Sequence, residues 1–290
     1  MYNIRFQQKM LKDKNLNLIL YIYIFLKYYD FGGKEMDIFL IIGIIIGFLA
    51  IIAGMLAKGA DISVLLNSEA FMIICIGTIA SVMNSFPKRE FLNIPRLLVV
   101  LFRGKQKDDP VSLIKQIVEL AKETRKNGLL SLEGTTQKMD NNFLKTGIEM
   151  VVDGVEPEYV REVLSDEISS MEERHRAGAM IFSTAGGNAP TLGVLGAVVG
   201  LIGALGSLSD TTKLAHSIAS AFVATLYGIF IGYVICIPFS LRLKRKSSEE
   251  VNNMQIILEG ILCIQEGKNP KAIEQKLKTM LRPKDRKGLE

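Results

Sequence analysis

Residues 180–208, MIFSTAGGNAPTLGVLGAVVGLIGALGSL, and 214–241, LAHSIASAFVATLYGIFIGYVICIPFSL, contain no Asp, Glu, Lys or Arg. At about 1.5 Å per residue each is long enough to cross a hydrocarbon layer roughly 30 Å thick as a helix. The first repeats glycine at Gly193, Gly196, Gly200, Gly203 and Gly206, which fall on one broad side of a helix and let a neighbouring backbone come close. The second carries Ser217, Ala221, Thr225, Gly228 and Gly232 at intervals of three or four, a narrow seam of small residues whose deeply placed hydroxyl is Thr225. These stretches are read as membrane spans three and four.

Outward from this pair, the 49% of hydrophobic residues and the 22% of charged ones are segregated along the chain. Two further apolar blocks, 38–56 and 70–87, supply spans one and two, and the charges crowd into 88–176 and beyond 242. The pattern predicts an all-α polytopic membrane protein with four transmembrane helices and a helical cytoplasmic domain. Its divisions are a segment 1–35, spans one and two in 36–87, a cytoplasmic domain 88–179, spans three and four in 180–241, and C-terminal helices with a basic tail in 242–290. Lys88, Arg89, Arg96, Arg103 and Lys105 follow span two, and Arg242, Lys244, Arg245 and Lys246 follow span four. This bias places the large segment and both termini in the cytoplasm. It also accounts for the net charge of +5 without a nucleic-acid partner.

Spans one and two are expected to form an outer layer. Span one is β-branched through Ile41–Ile46 and is read as facing lipid, while span two carries Thr78, Ser81 and Asn84 and stops at Pro87. Before them, the apolar run 18–26 is too short to span a bilayer. Gly32-Gly33-Lys34-Glu35 directly before Met36 has the form of a translated ribosome-binding site, so Met36 is read as the natural start and 1–35 as a non-native extension. The rival reading of that segment is an interfacial helix or an uncleaved targeting sequence.

In the cytoplasmic segment, Leu113, Ile114, Ile117, Val118 and Ala121 share a face of a helix that Gly128 ends. Leu129–Val152 reads as a second helix, and Pro157 opens a third with no Gly or Pro before Gly178, so that it continues into span three as a stalk. Beyond span four, 250–266 is amphipathic, a short helix follows Pro270, and the basic tail 282–287 reads as a solvated end.

Three cysteines far apart and two histidines provide neither a disulfide framework nor a zinc cluster nor a Cys–His nucleophile. With no phosphate-binding glycine loop either, the sequence offers no catalytic residues, metal site or cofactor. A protein that moves ions ordinarily keeps a charged group such as a carboxylate inside the membrane, and spans three and four keep no Asp, Glu, Lys or Arg. A partner helix is therefore expected to bring the titratable acid and to pack against the small-residue seams. Asn188-Ala189-Pro190, where Pro190 frees a backbone carbonyl, marks the cytoplasmic mouth of the pathway.

The run Gly187-Asn188-Ala189-Pro190-Thr191-Leu192-Gly193-Val194-Leu195-Gly196, with Ala224-Thr225-Leu226-Tyr227-Gly228 and Pro238, resembles the flagellar stator subunits of the MotA/TolQ/ExbB proton-channel family. The resemblance covers Met36 to about Leu281. It implies an ion channel formed with MotB, five copies around two, that couples proton flow to torque through the rotor protein FliG. By the same resemblance Pro190 and Pro238 couple ion flow to shape change, Thr225 faces the partner's protonatable aspartate, and Arg125 and Glu133 meet FliG. Sodium-driven relatives look like they carry hydroxyls at Ala197 and Ala224, so the transported ion is read as a proton. The alternatives are an ExbB/TolQ-type energiser of envelope transport, which has three spans rather than four, and a non-conducting membrane scaffold.

Overall fold

The computed structural model describes residues 37–104, 109–136 and 139–289, so the readings of 1–35 and of Met36 as the start lie outside the described residues. Four helical stretches among the described residues are long and apolar enough to cross a membrane, 38–57, 62–85, 157–205 and 211–265. Span one is α1 (Ile38–Ala57) and span two is α2 (Ser68–Ser85), which follows a 3₁₀ turn at Ile62–Leu65. Asn67 caps α2, its Oδ1 accepting from the Ala70 N–H at 2.9 Å.

These two spans do not form one outer layer. Helix α2 buries Ala70, Ile74, Thr78 and Val82, a stripe of four-residue period small enough to close against the later spans. Helix α1, apolar all round, buries Leu40 alone, and its Phe48 ring meets Phe230 edge-on at 6.2 Å. Span two therefore belongs to the tight bundle and span one leans on its outside.

Two short interfacial helices follow, α3 (Lys88–Phe91) and α4 (Ile94–Phe102), then α5 (Pro110–Asn127) and a 3₁₀ turn at Leu129–Leu132. The single helix expected over Leu129–Val152 is broken into α6 (Glu133–Thr136) and α7 (Asn142–Val152). Asn141 starts the second piece by accepting from the Leu144 N–H at 3.0 Å, a bond that competes with a continuous helix.

Helix α8 (Pro157–Leu205) runs 49 residues without interruption, so the stalk and span three are one element about 74 Å long. Span four begins with α9 (Thr211–Ile229), widens into a π-helical segment Phe230–Cys236 and continues as α10 (Ile237–Gln265). Asp210 caps α9, accepting from the Thr212 and Lys213 N–H groups at 3.1 Å each. The amphipathic stretch read separately beyond span four is thus its direct continuation.

The core outside the spans joins the segment between spans two and three to the segment beyond span four. Ile114, Ile117, Leu144 and Ile148 pack with Leu164 of α8, with Ile257 and Ile261 of α10, and with Ile273 of α11 (Pro270–Thr279). The basic tail is not a free end either. Gly288 lies against Val111, Leu289 packs on this core, and Arg286 donates to the carbonyls of Leu281 and Thr279 at 3.1 and 3.2 Å, closing the end of α11.

Candidate functional site

The two seams face each other. A Cβ built on Gly200 would stand 2.8 Å from Ala221 Cβ and 3.0 Å from the Ser217 carbonyl oxygen, and one on Gly196 would stand 2.8 Å from Ala224 Cβ. Gly193 and Gly228 make the closest crossing, where a Cβ on Gly228 would sit 2.5 Å from the Ala189 carbonyl oxygen and 2.9 Å from Gly193 Cα. Farther out, Gly203 lies opposite the Ser217 hydroxyl, and Gly206 stands beyond the end of α8 against its own helix. These contacts weld span three to span four within the chain, and Gly203 is left exposed with Gly200 and Ser217 half-buried. What the weld leaves outward is bulky, with Val194, Val198 and Leu201 on α8 and Phe222 on α9 all exposed.

Thr225 sits at the crossing, half-buried, with its Oγ1 3.3 Å from the Ala221 carbonyl oxygen and 3.4 Å from that of Gly193. A hydroxyl donating to its own helix keeps its lone pairs as acceptors. Ala197, on α8, is half-buried and carries no side-chain oxygen.

One level toward the stalk, Pro190 lies inside an unbroken helix, so the Gly186 carbonyl four residues earlier has lost its N–H donor. That carbonyl and the Pro190 ring both rest on Gly232, where a Cβ would stand 2.7 Å from Gly186 O and 2.8 Å from Pro190 Cδ. Gly232 is in the π-helical segment, which precedes Pro238 and absorbs the hydrogen bond that Pro238 cannot make. Pro190 thus bears directly on the contact of Gly186 with Gly232, and Pro238 follows that contact in the same span. Sequence reading assigned Gly232 to the seam and missed Gly186; the Gly186-Gly187 pair upstream of Pro190 was the available signal. Asn188 donates through Nδ2 to Ser81 Oγ at 2.5 Å, tying span two to the same level.

Charged groups gather where the bundle meets the cytoplasmic domain. Arg242 pairs with Asp37 at the start of span one, and the Asp37 N–H donates to the Phe102 carbonyl at 3.0 Å. Lys246 on α10 reaches the Val100 carbonyl at 2.7 Å and also that of Arg103, capping α4. Arg125 and Glu133 lie far down the chain from this belt, at the end of α5 and the start of α6, both exposed and neither in an ion pair among the described residues. The described residues hold no cluster of three or more metal-ligating side chains.

A family model described as the MotA/TolQ/ExbB proton channel family matches residues 135–256. Motility protein A of Bacillus subtilis (strain 168) is 47% identical over 251 residues, 87% of this chain and 93% of the relative. The chain belongs to the MotA/TolQ/ExbB proton channel family. Solved structures of the family share the fold: the flagellar MotAB stator complex from Bacillus subtilis aligns with a TM-score of 0.80 at 48% identity, over 85% of this chain and 97% of that one. The C. jejuni MotAB structure aligns with a TM-score of 0.81 at 32% identity, over 86% and 97%. Membership confirms the resemblance carried by Gly187–Gly196 and Ala224–Gly228, and it makes the proline-braced weld of α8 to α9 a feature of a MotA/TolQ/ExbB chain rather than of an unrelated bundle.

Proposed function

We propose that this chain is the channel-forming subunit of a flagellar stator in the bacterial inner membrane, working with a MotB-type partner to turn proton flow into torque on FliG. Similarity to motility proteins and to MotAB complexes supports the assignment. The observation that carries the mechanism is the charge-free weld: spans three and four lock together through Gly193, Gly228 and Thr225 with no Asp, Glu, Lys or Arg between Met180 and Leu208 or Leu214 and Leu241. The carrier of the proton must come from the partner, as a carboxylic acid whose desolvation holds it near the point of titration.

In this reading Thr225 accepts from the protonated acid and leaves the carboxylate less well served, which favours uptake of the proton. Release of the proton restores a charge, and the contact of Gly186 and Pro190 with Gly232 shifts in response. Both helices at that contact run unbroken into the cytoplasmic core, so a tilt there moves the domain as one body. Arg125 and Glu133 are the charges that meet the rotor. Five copies around two partner chains, with both termini in the cytoplasm and lipid against α1, complete the proposal.

The test is reconstitution in cells that lack their own stator. Motility and proton uptake are expected when the chain is expressed together with its MotB-type partner, and from neither protein alone. Proton uptake by this chain alone contradicts the assignment of the carrier to the partner.

A further inference from the structure

In the described cytoplasmic parts, 109–136, 139–179 and 244–289, the large apolar side chains left exposed are Leu130, 73% exposed, and Tyr159, 57% exposed. Tyr159 has a polar tip that water satisfies; Leu130 has none. A lone exposed leucine is unremarkable where the backbone is free to place it anywhere, and here it is not. Gly128, at φ +83°, turns the chain out of α5 with its N–H on the Thr124 carbonyl at 2.8 Å. Ser131 Oγ donates back to the Gly128 carbonyl at 2.7 Å, and Thr135 Oγ1 reaches Glu123 at 3.4 Å, stitching the far side of the turn to α5. Leu132 is fully buried and Leu129 packs on the domain core, so the turn is anchored on both sides of Leu130, which is held outward.

Its neighbours in sequence are charges in no ion pair among the described residues. Arg125 and Lys126 occupy the last turn of α5, Glu133 opens α6, and all three are exposed. We propose that Leu130 is the apolar anchor of a docking surface that Arg125 and Glu133 frame, and that its occupant is a rotor segment with a shallow apolar recess between charges of the opposite signs. The inference rests on the rotor-facing reading of Arg125 and Glu133 under the proposed function. Charges of both signs set orientation and encounter rate, but exposed pairs are screened by salt and hold little on their own. One desolvated leucine at the centre supplies the hold, and a single small anchor still releases within each power stroke.

The experiment uses the full chain with its partner in cells lacking a stator, comparing Leu130→Gln, Leu130→Met, and the double charge reversal R125E/E133R. Three quantities are read: protein in the membrane, proton uptake, and the number of stator units engaged at each motor by fluorescence. Leu130→Gln is expected to lower engagement about tenfold with membrane level and proton uptake unchanged, and Leu130→Met to restore it. Engagement of Leu130→Gln at the wild-type level, with R125E/E133R impaired, overturns the anchor and leaves the rotor-facing reading standing. Wild-type engagement by both overturns that reading and the anchor with it. Should Leu130→Gln not accumulate, Leu130→Ser carries the same comparison.

Discussion

The ring of Pro190 in span three rests on Gly232 in the π-helical segment of span four, with room for no more than a hydrogen: a Cβ there would stand 2.8 Å from Pro190 Cδ and 2.9 Å from Cγ. Proline removes an N–H from one helix, and the wide turn before Pro238 loosens the other, so two weakened stretches face each other across one glycine. Neighbouring levels are rigid by comparison, because Gly193 and Gly228 meet backbone to backbone.

Gly232→Ala is expected to force a methyl into the Pro190 ring and the Gly186 carbonyl, neither of which can rotate away, at a cost of about 1–3 kcal/mol. Swimming should be lost or strongly reduced. Gly187→Ala is the control, since a Cβ at Gly187 meets nothing within 4 Å. Motility on soft agar, normalised to protein in the membrane, separates the two; equal behaviour contradicts the packing argument.

Thr225 combines seam volume with a hydroxyl, and substitution separates these. Thr225→Val keeps the shape and loses the acceptor, while Thr225→Ser keeps the acceptor. A hydrogen bond of roughly 0.5–1.5 kcal/mol corresponds to about a two- to tenfold fall in proton flux for the valine variant, with serine close to wild type. Proton uptake measured at fixed membrane potential checks the order; a serine variant as slow as valine assigns Thr225 to packing.

Glu259 lies between Arg161 at 3.2 Å and Lys276 at 2.5 Å. The hydrogen bond from Lys276 holds its carboxyl below the ordinary value of 4.5, with Arg161 assisting against the cost of burial. Because the folded-state value is the lower one, this contribution is complete above about pH 4.5 and is lost as the pH falls through the folded value. Lys276→Met should therefore destabilise the cytoplasmic domain at pH 7 by on the order of 1 kcal/mol or less, a difference that shrinks toward pH 3. Thermal unfolding of the detergent-solubilised complex at both pH values tests this, and an undiminished difference at pH 3 contradicts it.

At Gly128 a left-handed φ of +83° is required while a Cβ would meet open space, so Gly128→Ala isolates backbone strain from crowding. A cost of about 1 kcal/mol is expected, expressed as a loosened turn between Arg125 and Glu133. Amide exchange should speed up over 128–132 and stay unchanged in α8. No change over the turn argues against its being held by that conformation.

The four spans and the continuous stalk were legible because lipid demands long charge-free helices and because nothing between Pro157 and Gly178 breaks the helical pattern. The seams were legible as close-packing surfaces but not as partners of each other, since a glycine row records a neighbour without naming it. Gly193 to Gly203 would read the same against a second chain. The break within Leu129–Val152 was hidden because Leu132, Met139, Phe143 and Met150 keep a near-helical spacing across it, and the capping bond of Asn141 decides the boundary. The π-helical segment has no signature beyond Pro238, and Gly186 gains meaning only once Gly232 is opposite it. Docking of the tail followed from Leu289, one apolar residue past a basic run, which composition alone assigns to solvent.

The central claim is that a proton, carried by an acid the partner supplies, drives this charge-free shell. Thr225 brings a hydroxyl to the crossing, while Ala197 and Ala224 carry none, and a dehydrated sodium ion needs several oxygen ligands where a proton needs one titrating carboxylate. The direct measurement is swimming speed in cells powered by this chain and its partner, at constant pH, with sodium replaced by potassium and with a protonophore added. Speed maintained without sodium and abolished by the protonophore is the predicted result; speed that rises with added sodium and survives the protonophore contradicts the account.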